Sequence, residues 1–406
     1  MAVSYKVGSF NHRSGTGSQV VTGVGFEPKA LILFAINATT EPIQVHSVVN
    51  IGFTDGTNER SIWVGSEDGV GTSNANRYGN SGKVINFRAV SDGSLQAEAD
   101  LTSFDSNGFT LNWTTNTISG VPIKYVAIGG TDITDVEVGS FTSASGTGVQ
   151  NVSTGVANAD FLMLMNWASL TEDSLVTTGE LALGMATSSS NRGCTTITSQ
   201  DATGTSNTQR YQRTETVFQN MSSNSTSKLN EADFDGFTAS GFDLDWSLAN
   251  QRVIYYLTIK GGQWEVGNGT SPASASTKSF TTTFEPKGLL IHGFNRAAST
   301  AVNTSAVLTF GASDETTDVS IGVLDFDAVG TTDSARRSSS TSCVNGLGNT
   351  SETNELANVS TGGGFNATDF TLQFTKTNST LRELIWAVVG DEDTGLGPSS
   401  QAVVIG

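Results

Sequence analysis

Cysteine is nearly absent from this chain: Cys194 and Cys343 are the only two in 406 residues. That excludes a disulfide framework and a cysteine-based zinc site. The two thiols are either free and buried or joined in one bridge. Histidine is almost as scarce. His12, His46 and His292 form no H-x-x-x-H pair and share no ligand spacing with a cysteine, so no transition-metal centre or other cofactor is expected. Positive charge is the third shortage, with 21 Lys and Arg against 39 Asp and Glu and a net charge of −18. No basic cluster exceeds Arg336-Arg337, so neither nucleic acid nor an anionic membrane surface is expected as a partner. No apolar run approaches the ~18 residues of a spanning helix, and no membrane insertion is expected. The opening MAVSYKVGSF has neither the charged nor the apolar region of a secretory signal, so synthesis in the cytoplasm is expected. No segment keeps an amphipathic helical period over three or more turns.

Glycine is abundant. The chain has 45 of them beside dense Ser, Thr and Asn, a composition of many short strands joined by turns. One stretch occurs three times. It reads VGSFNHRSGTGSQVVTGVGFEPKALILFAIN from Val7, VGSFTSASGTGVQNVSTGVANADFLMLMNWA from Val138, and VGNGTSPASASTKSFTTTFEPKGLLIHGFN from Val266. The closing pieces recur as well: SFDSNGFTLNW with KYVAIGG, DFDGFTASGFDLDW with YYLTIKGG, and GGGFNATDFTLQF with LIWAVVGD. A unit of about 130 residues is therefore used three times, giving domains 1–130, 131–262 and 263–391 and a tail at 392–406. Linkers as short as Thr131–Glu137 leave little room for swinging, and the units are expected to dock.

Within each unit the pattern is that of strands. Lys29 to Ile36 is a continuous apolar run after Glu27-Pro28, as in a strand buried on both faces. Phe109-Thr-Leu-Asn-Trp113 alternates, as do Phe242 to Trp246 and Phe370 to Phe374, with aromatics to fill the gap between two sheets. The expected fold is all-β: three tandem antiparallel β-sandwiches, jelly-roll-like, in a pseudo-threefold repeat, with seven to nine strands each.

Signals of catalysis are missing. There is no G-x-S-x-G elbow and no Walker sequence, and the Gly-rich pieces lie in turns. The carboxylate pairs Asp243/Asp245, Asp325/Asp327 and Glu67/Asp68 read as solvated faces in so acidic a chain, with a weak Ca²⁺ site as the alternative. No enzyme is expected. The divergent middles of the units share a small-polar loop followed by arginine, at Arg77, Arg192 and Arg336. These arginines are either a shared partner contact or scaffold residues paired with carboxylates. Trp63, Tyr78 and Trp167 lie in the same divergent regions. Exposed, they would suit stacking on a sugar, although such rings are more often core.

The phrase G-x-G-F-E-P-K-A-L-I-L-F, from Gly23 to Phe34, and its partner Thr283 to Ile291 resemble a motif of tailed-phage virion proteins, where V-G-[ST]-F openings and G-F-x-P-K-A strands mark tandem β-sandwiches. The second unit departs from it, with Ala157-Asn-Ala-Asp160 in place of Glu-Pro-Lys. The F-x-P-x-V/L pattern also resembles H-type lectin domains, small sugar-binding sandwiches that work as trimers. The phage resemblance implies a virion component without enzymatic activity. Its expected role is capsid decoration (a cement protein), with the major capsid protein or other virion proteins as partners. The alternative is a tail-associated host-attachment protein that binds a receptor or a cell-surface glycan. The apolar end Gln401-Ala-Val-Val-Ile-Gly406 is suited to pair as an added strand with a neighbour.

Overall fold

The apolar run of each repeat explains the architecture, because its two faces enter two different cores. In the strand Pro28–Ala35, the side chains of Ala30, Ile32 and Phe34 point into one core while Leu31, Leu33 and Ala35 point into another. The second repeat does the same with Phe161, Met163 and Met165 on one side and Leu162 and Leu164 on the other. The third does so with Leu290 against Leu289 and Ile291. A strand buried on both faces shows no period-2 alternation, which is why the run is continuous. The first core in each case is one and the same central core, to which all three repeats contribute.

These relations come from a computed structural model that describes residues 2–222, 227–296, 302–348, 353–359 and 361–392. Among them the regular structure is antiparallel β, with no helix. The first repeat builds a large sheet in the order Val3–Asn11, Pro122–Gly130, Pro28–Ala35, Ser47–Thr54, Glu59–Ser66, Ala75–Asn80. A small sheet, Gly17–Thr22, Gly108–Asn116, Leu95–Asp105, Ile85–Arg88, covers its outer side. The other two repeats reproduce both orders, the third with an added short strand, Gly364–Asn366. Each repeat thus has an outer, sandwich-like core of its own, into which Phe109, Leu111 and Trp113 and their counterparts point.

More strands are present than the seven to nine expected. Between Val3 and Gly130 alone there are 11. The divergent middle, which carries no clear apolar pattern, is strand as well. Its polar residues Asn50, Thr54 and Ser61 are fully buried, so burial there does not follow hydrophobicity. The apolar C-terminal end proposed as an added strand lies outside the described residues.

The seventh strand of each large sheet comes from a different repeat. Val176–Thr177 of the second repeat pairs with Ala75–Asn80 of the first. Asn303–Thr304 of the third pairs with Thr208–Arg213 of the second, and Gln44–Val45 of the first pairs with Ser334–Ser339 of the third. The exchange therefore closes a cycle. It also covers a sheet edge that would otherwise offer unpaired N–H and C=O groups.

The V-G opening has a packing reason. Val7, Val138 and Val266 enter the central core. The adjacent Gly8, Gly139 and Gly267 lie under the rings of Tyr125, Tyr256 and Trp386 on the paired strand, where a Cβ would come within 2.4, 2.3 and 2.2 Å of a ring atom. Both cysteines are free and buried, Cys194 beside Thr216 and Cys343 beside the Ala357 carbonyl.

Two outcomes follow from the shared core and the covered glycines. Heating should give one cooperative transition, with equal calorimetric and van't Hoff enthalpies. Separate melting of three parts would refute a core held in common. Gly8→Ala should cost roughly 1–3 kcal/mol by overpacking Tyr125, whereas Gly71→Ala, at an open position, should leave the melting temperature unchanged.

Candidate functional site

The seams between repeats carry recurring polar contacts, and each seam is built from the same parts. An aspartate at a hairpin tip accepts the N–H of the first residue of a neighbour's strand. Asp68 accepts from Ser334 at 2.8 Å, Asp201 from Ala75 at 3.0 Å, and Asp327 from Thr208 at 2.8 Å. The next residue is left-handed each time: Gly69 at φ 76, Ala202 at φ 57, Ala328 at φ 60. A turn residue likewise accepts the N–H of a neighbour's opening valine, Asp55 from Val138, Thr187 from Val266 and Asp314 from Val7. Asp314 also receives Lys6 at 2.6 Å. The lent strands end in another left-handed set, His46, Thr178 and Ser305, at φ 69, 67 and 65.

Opposite each lent strand stands an arginine. The register places Arg77 against Val176, Arg210 against Asn303, and Arg336 against Gln44. Arg210, not Arg192, is therefore the counterpart in the second repeat. Arg192 opens an earlier strand and pairs with Asp233 of its own repeat, Nη2 to Oδ2 at 2.7 Å. The loop-then-Arg spacing selects Arg192, but the dipeptide Arg77-Tyr78 has its match at Arg210-Tyr211 and carries the correct signal. Arg77 donates to the carbonyls of Thr178 and Ala168 at 2.6 and 3.3 Å, and Arg210 to those of Thr304 and Ser305 at 2.8 and 2.7 Å.

Arg336 departs from this rule. Among the described residues no group accepts from its guanidinium, whose Nε is buried. Burial lowers its pKa to about 10, with no carboxylate offsetting the effect. It lines a pocket of ≈ 350 Å³ at the seam between the third and first repeats, with Asn37, His46, Glu67, Gln96 and Ser119. Asn37 and His46 are the counterparts of Ala168 and Thr178, whose carbonyls satisfy Arg77. His46 Nδ1 accepts the Asp68 N–H at 2.9 Å, which leaves the proton on Nε2. Burial, then the Arg336 charge, lower its pKa and keep the ring neutral. Asn37 Nδ2 donates to the Arg88 carbonyl and to Gln96 Oε1, both at 3.0 Å, which leaves Asn37 Oδ1 and Gln96 Nε2 for other partners. This arrangement suits binding a polar ligand. It does not pair a nucleophile with a base.

The aromatic candidates lie elsewhere. Trp63 is fully buried in a small cluster with Val48 and Tyr78, and the Arg88 guanidinium sits 3.3 Å above the Tyr78 ring centroid. Trp167 is fully buried in the central core, against Gly79 of the first repeat and the Tyr255 ring at 4.6 Å. Neither tryptophan offers a face to a sugar outside the protein. The carboxylate pairs are split between partners. Asp325 accepts the Ser199 hydroxyl while Asp327 caps Thr208; Glu67 accepts from Asn74 while Asp68 caps Ser334; Asp243 accepts from Asn151 while Asp245 is exposed. Among the described residues no three His, Cys, Asp or Glu side chains group as metal ligands. His292 is buried, with Nδ1 3.0 Å from Thr195 Oγ1 across a seam, and burial depresses its pKa to about 3.

No family model matches this sequence, and no curated protein matches it.

Buried carboxyls give the seams a pH dependence. Burial pushes Glu180 up to about 7, against the opposing pull of Arg77 and the donors of Met221 and Asn220, and pushes Asp325 up to about 6. A raised carboxyl holds its proton more tightly when folded. Its contribution is complete below the unfolded value and is lost as pH rises through 6 to 7, on the order of 3 kcal/mol for each such group. Glu41 and Asp314 act in the opposite sense. Burial pushes both up, but Lys124 and Ser340 for Glu41, and Lys6 with Thr316, Val7 and Thr317 for Asp314, outweigh it and leave both lowered. Their contribution is lost as pH falls below the usual carboxylate range. The melting temperature should therefore peak near the unfolded carboxylate values, at about pH 4, and fall until about pH 7, where both carboxyls are ionised in the folded protein as well. Glu180→Gln should flatten the alkaline limb, and an unchanged limb would exclude Glu180 as its source.

Proposed function

We propose that this chain is a structural protein of a tailed-phage virion that acts by binding and has no catalytic role. In this reading it is a capsid decoration protein fixed to the head through contacts with the major capsid protein. Each repeat is then a jelly-roll-like sandwich, and the three are related by a pseudo-threefold axis, as in a trimer made covalent. The observation that supports this most is the cyclic exchange of strands around one shared core. Such a body has three similar faces, suited to a local threefold position of a capsid lattice. The excess of negative charge, −18 overall, favours a soluble particle surface and disfavours nucleic acid.

A second reading, a tail-associated protein that binds a receptor or glycan, is favoured by the Arg336 pocket. Immunogold electron microscopy of source virions, with antibody against the purified chain, separates the two. Regular labelling of heads is the expected result. Labelling confined to the tail tip would transfer the proposal to the second reading, and unlabelled virions would end both.

A further inference from the structure

We propose that the pocket between the third and first repeats binds a carboxylate-bearing monosaccharide, with Arg336 receiving the carboxylate. This inference rests on the pocket alone and is independent of where the chain sits on a virion.

The argument begins with the broken rule among the three arginines. The Arg336 side chain is half-buried, and only its Nε is fully enclosed without a partner, as is that of Arg77, so its two terminal nitrogens reach the water of the pocket and are open to an acceptor. Arg77 and Arg210 find acceptors in the carbonyls beside the lent strand. Arg336 stands at the same register position and has none among the described residues, although it belongs to a chain with 39 acidic residues. The acceptor it lacks is one that a ligand can bring. A planar carboxylate matches the guanidinium fork with two parallel hydrogen bonds.

The rest of the lining describes the rest of the ligand. Asn37 Oδ1 is an acceptor and Gln96 Nε2 a donor, both left over from the Asn37–Gln96 bond. Ser119 adds a hydroxyl at the rim, and Ile118 and Val121 an apolar patch. Alternating donors and acceptors beside an apolar patch suit the hydroxyls and C–H face of a sugar ring. A volume of ≈ 350 Å³ is at the small end of ligand sites and fits one ring. Glu67, on the same lining, already receives Asn74 at 2.7 Å. It disfavours a ligand with several negative charges, such as a sugar phosphate, relative to a monocarboxylate.

The test is calorimetric or saturation-transfer NMR titration of the full chain with glucuronate and galacturonate, with glucose and acetate as comparisons. A uronate should bind, glucose and acetate should bind far more weakly, and Arg336→Gln should weaken the uronate by about tenfold or more. Arg192→Gln, which removes a surface ion pair of the second repeat, should leave binding unchanged. Ser119→Trp fills the pocket from its exposed rim, should abolish binding without touching Arg336, and serves if Arg336→Gln fails to fold. Absence of uronate binding at millimolar concentration, equal binding of acetate, or undiminished binding in a folded Arg336→Gln or Ser119→Trp protein would overturn the proposal.

Discussion

Among the described residues, the inner faces of the three large sheets are covered by one another. Ile32, Phe34, Met163, Met165, Leu290 and Leu308 form one apolar body fed from three stretches of chain far apart in sequence. Opening any seam would expose that body to water, at about 25 cal/mol per Å² of apolar surface. Everything else in the arrangement serves this closure. The lent strands, the capping aspartates and the valine N–H contacts all lie where one repeat meets the next, and each set recurs at all three seams.

Polar contacts at such a place do not supply most of the stability. A hydrogen bond that replaces one to water contributes only about 1 kcal/mol. Their value lies in register. The central core is apolar and tolerant of sliding, whereas Asp68, Asp201 and Asp327 each accept one particular N–H, and a strand shifted by one residue would lose it. The buried Lys124 ammonium, held by Glu41 and by Ser340 of another repeat, has the same effect at the seam beside the Arg336 pocket. Charges this deeply placed are weak sources of stability but severe penalties for mispairing.

Much of this is legible in the amino-acid sequence. The repeat, the all-β character and the doubly buried strand follow from spacing and from runs such as Ala-Leu-Ile-Leu-Phe. The aromatic ends of Phe109–Trp113 and Phe242–Trp246 do mark residues that face the outer cores. The exchanged strands were not legible. Gln44-Val45, Val176-Thr177 and Asn303-Thr304 are two residues long and have no residue type common to all three, since backbone pairing needs no particular side chain. The pocket was half legible. Arg336 stood out by its loop, but His46 looked isolated and Asn37 unremarkable, because a seam gathers residues that sequence separates by almost 300 positions. Trp63 and Trp167 show the converse, since a divergent region of sequence need not be an exposed one.

Strand ends of the three large sheets meet at Ser66, Ser199 and Asp325, and there the Asp325 carboxyl receives the Ser199 hydroxyl with Ser66 also against it. Three identical subunits could not make this arrangement. They would bring together three serines, or three carboxylates whose mutual repulsion nothing nearby relieves. A single covalent chain is free of that restriction, because each copy of a position can mutate alone. Asp325 is such a departure, an acid between two hydroxyls; at Arg336 the arginine itself is kept in all three repeats, and the departure lies around it, where Asn37 and His46 stand in place of Ala168 and Thr178. Fusion of the repeats thus permits symmetry to be broken one residue at a time, so that a body with three like sides can carry a single distinctive one.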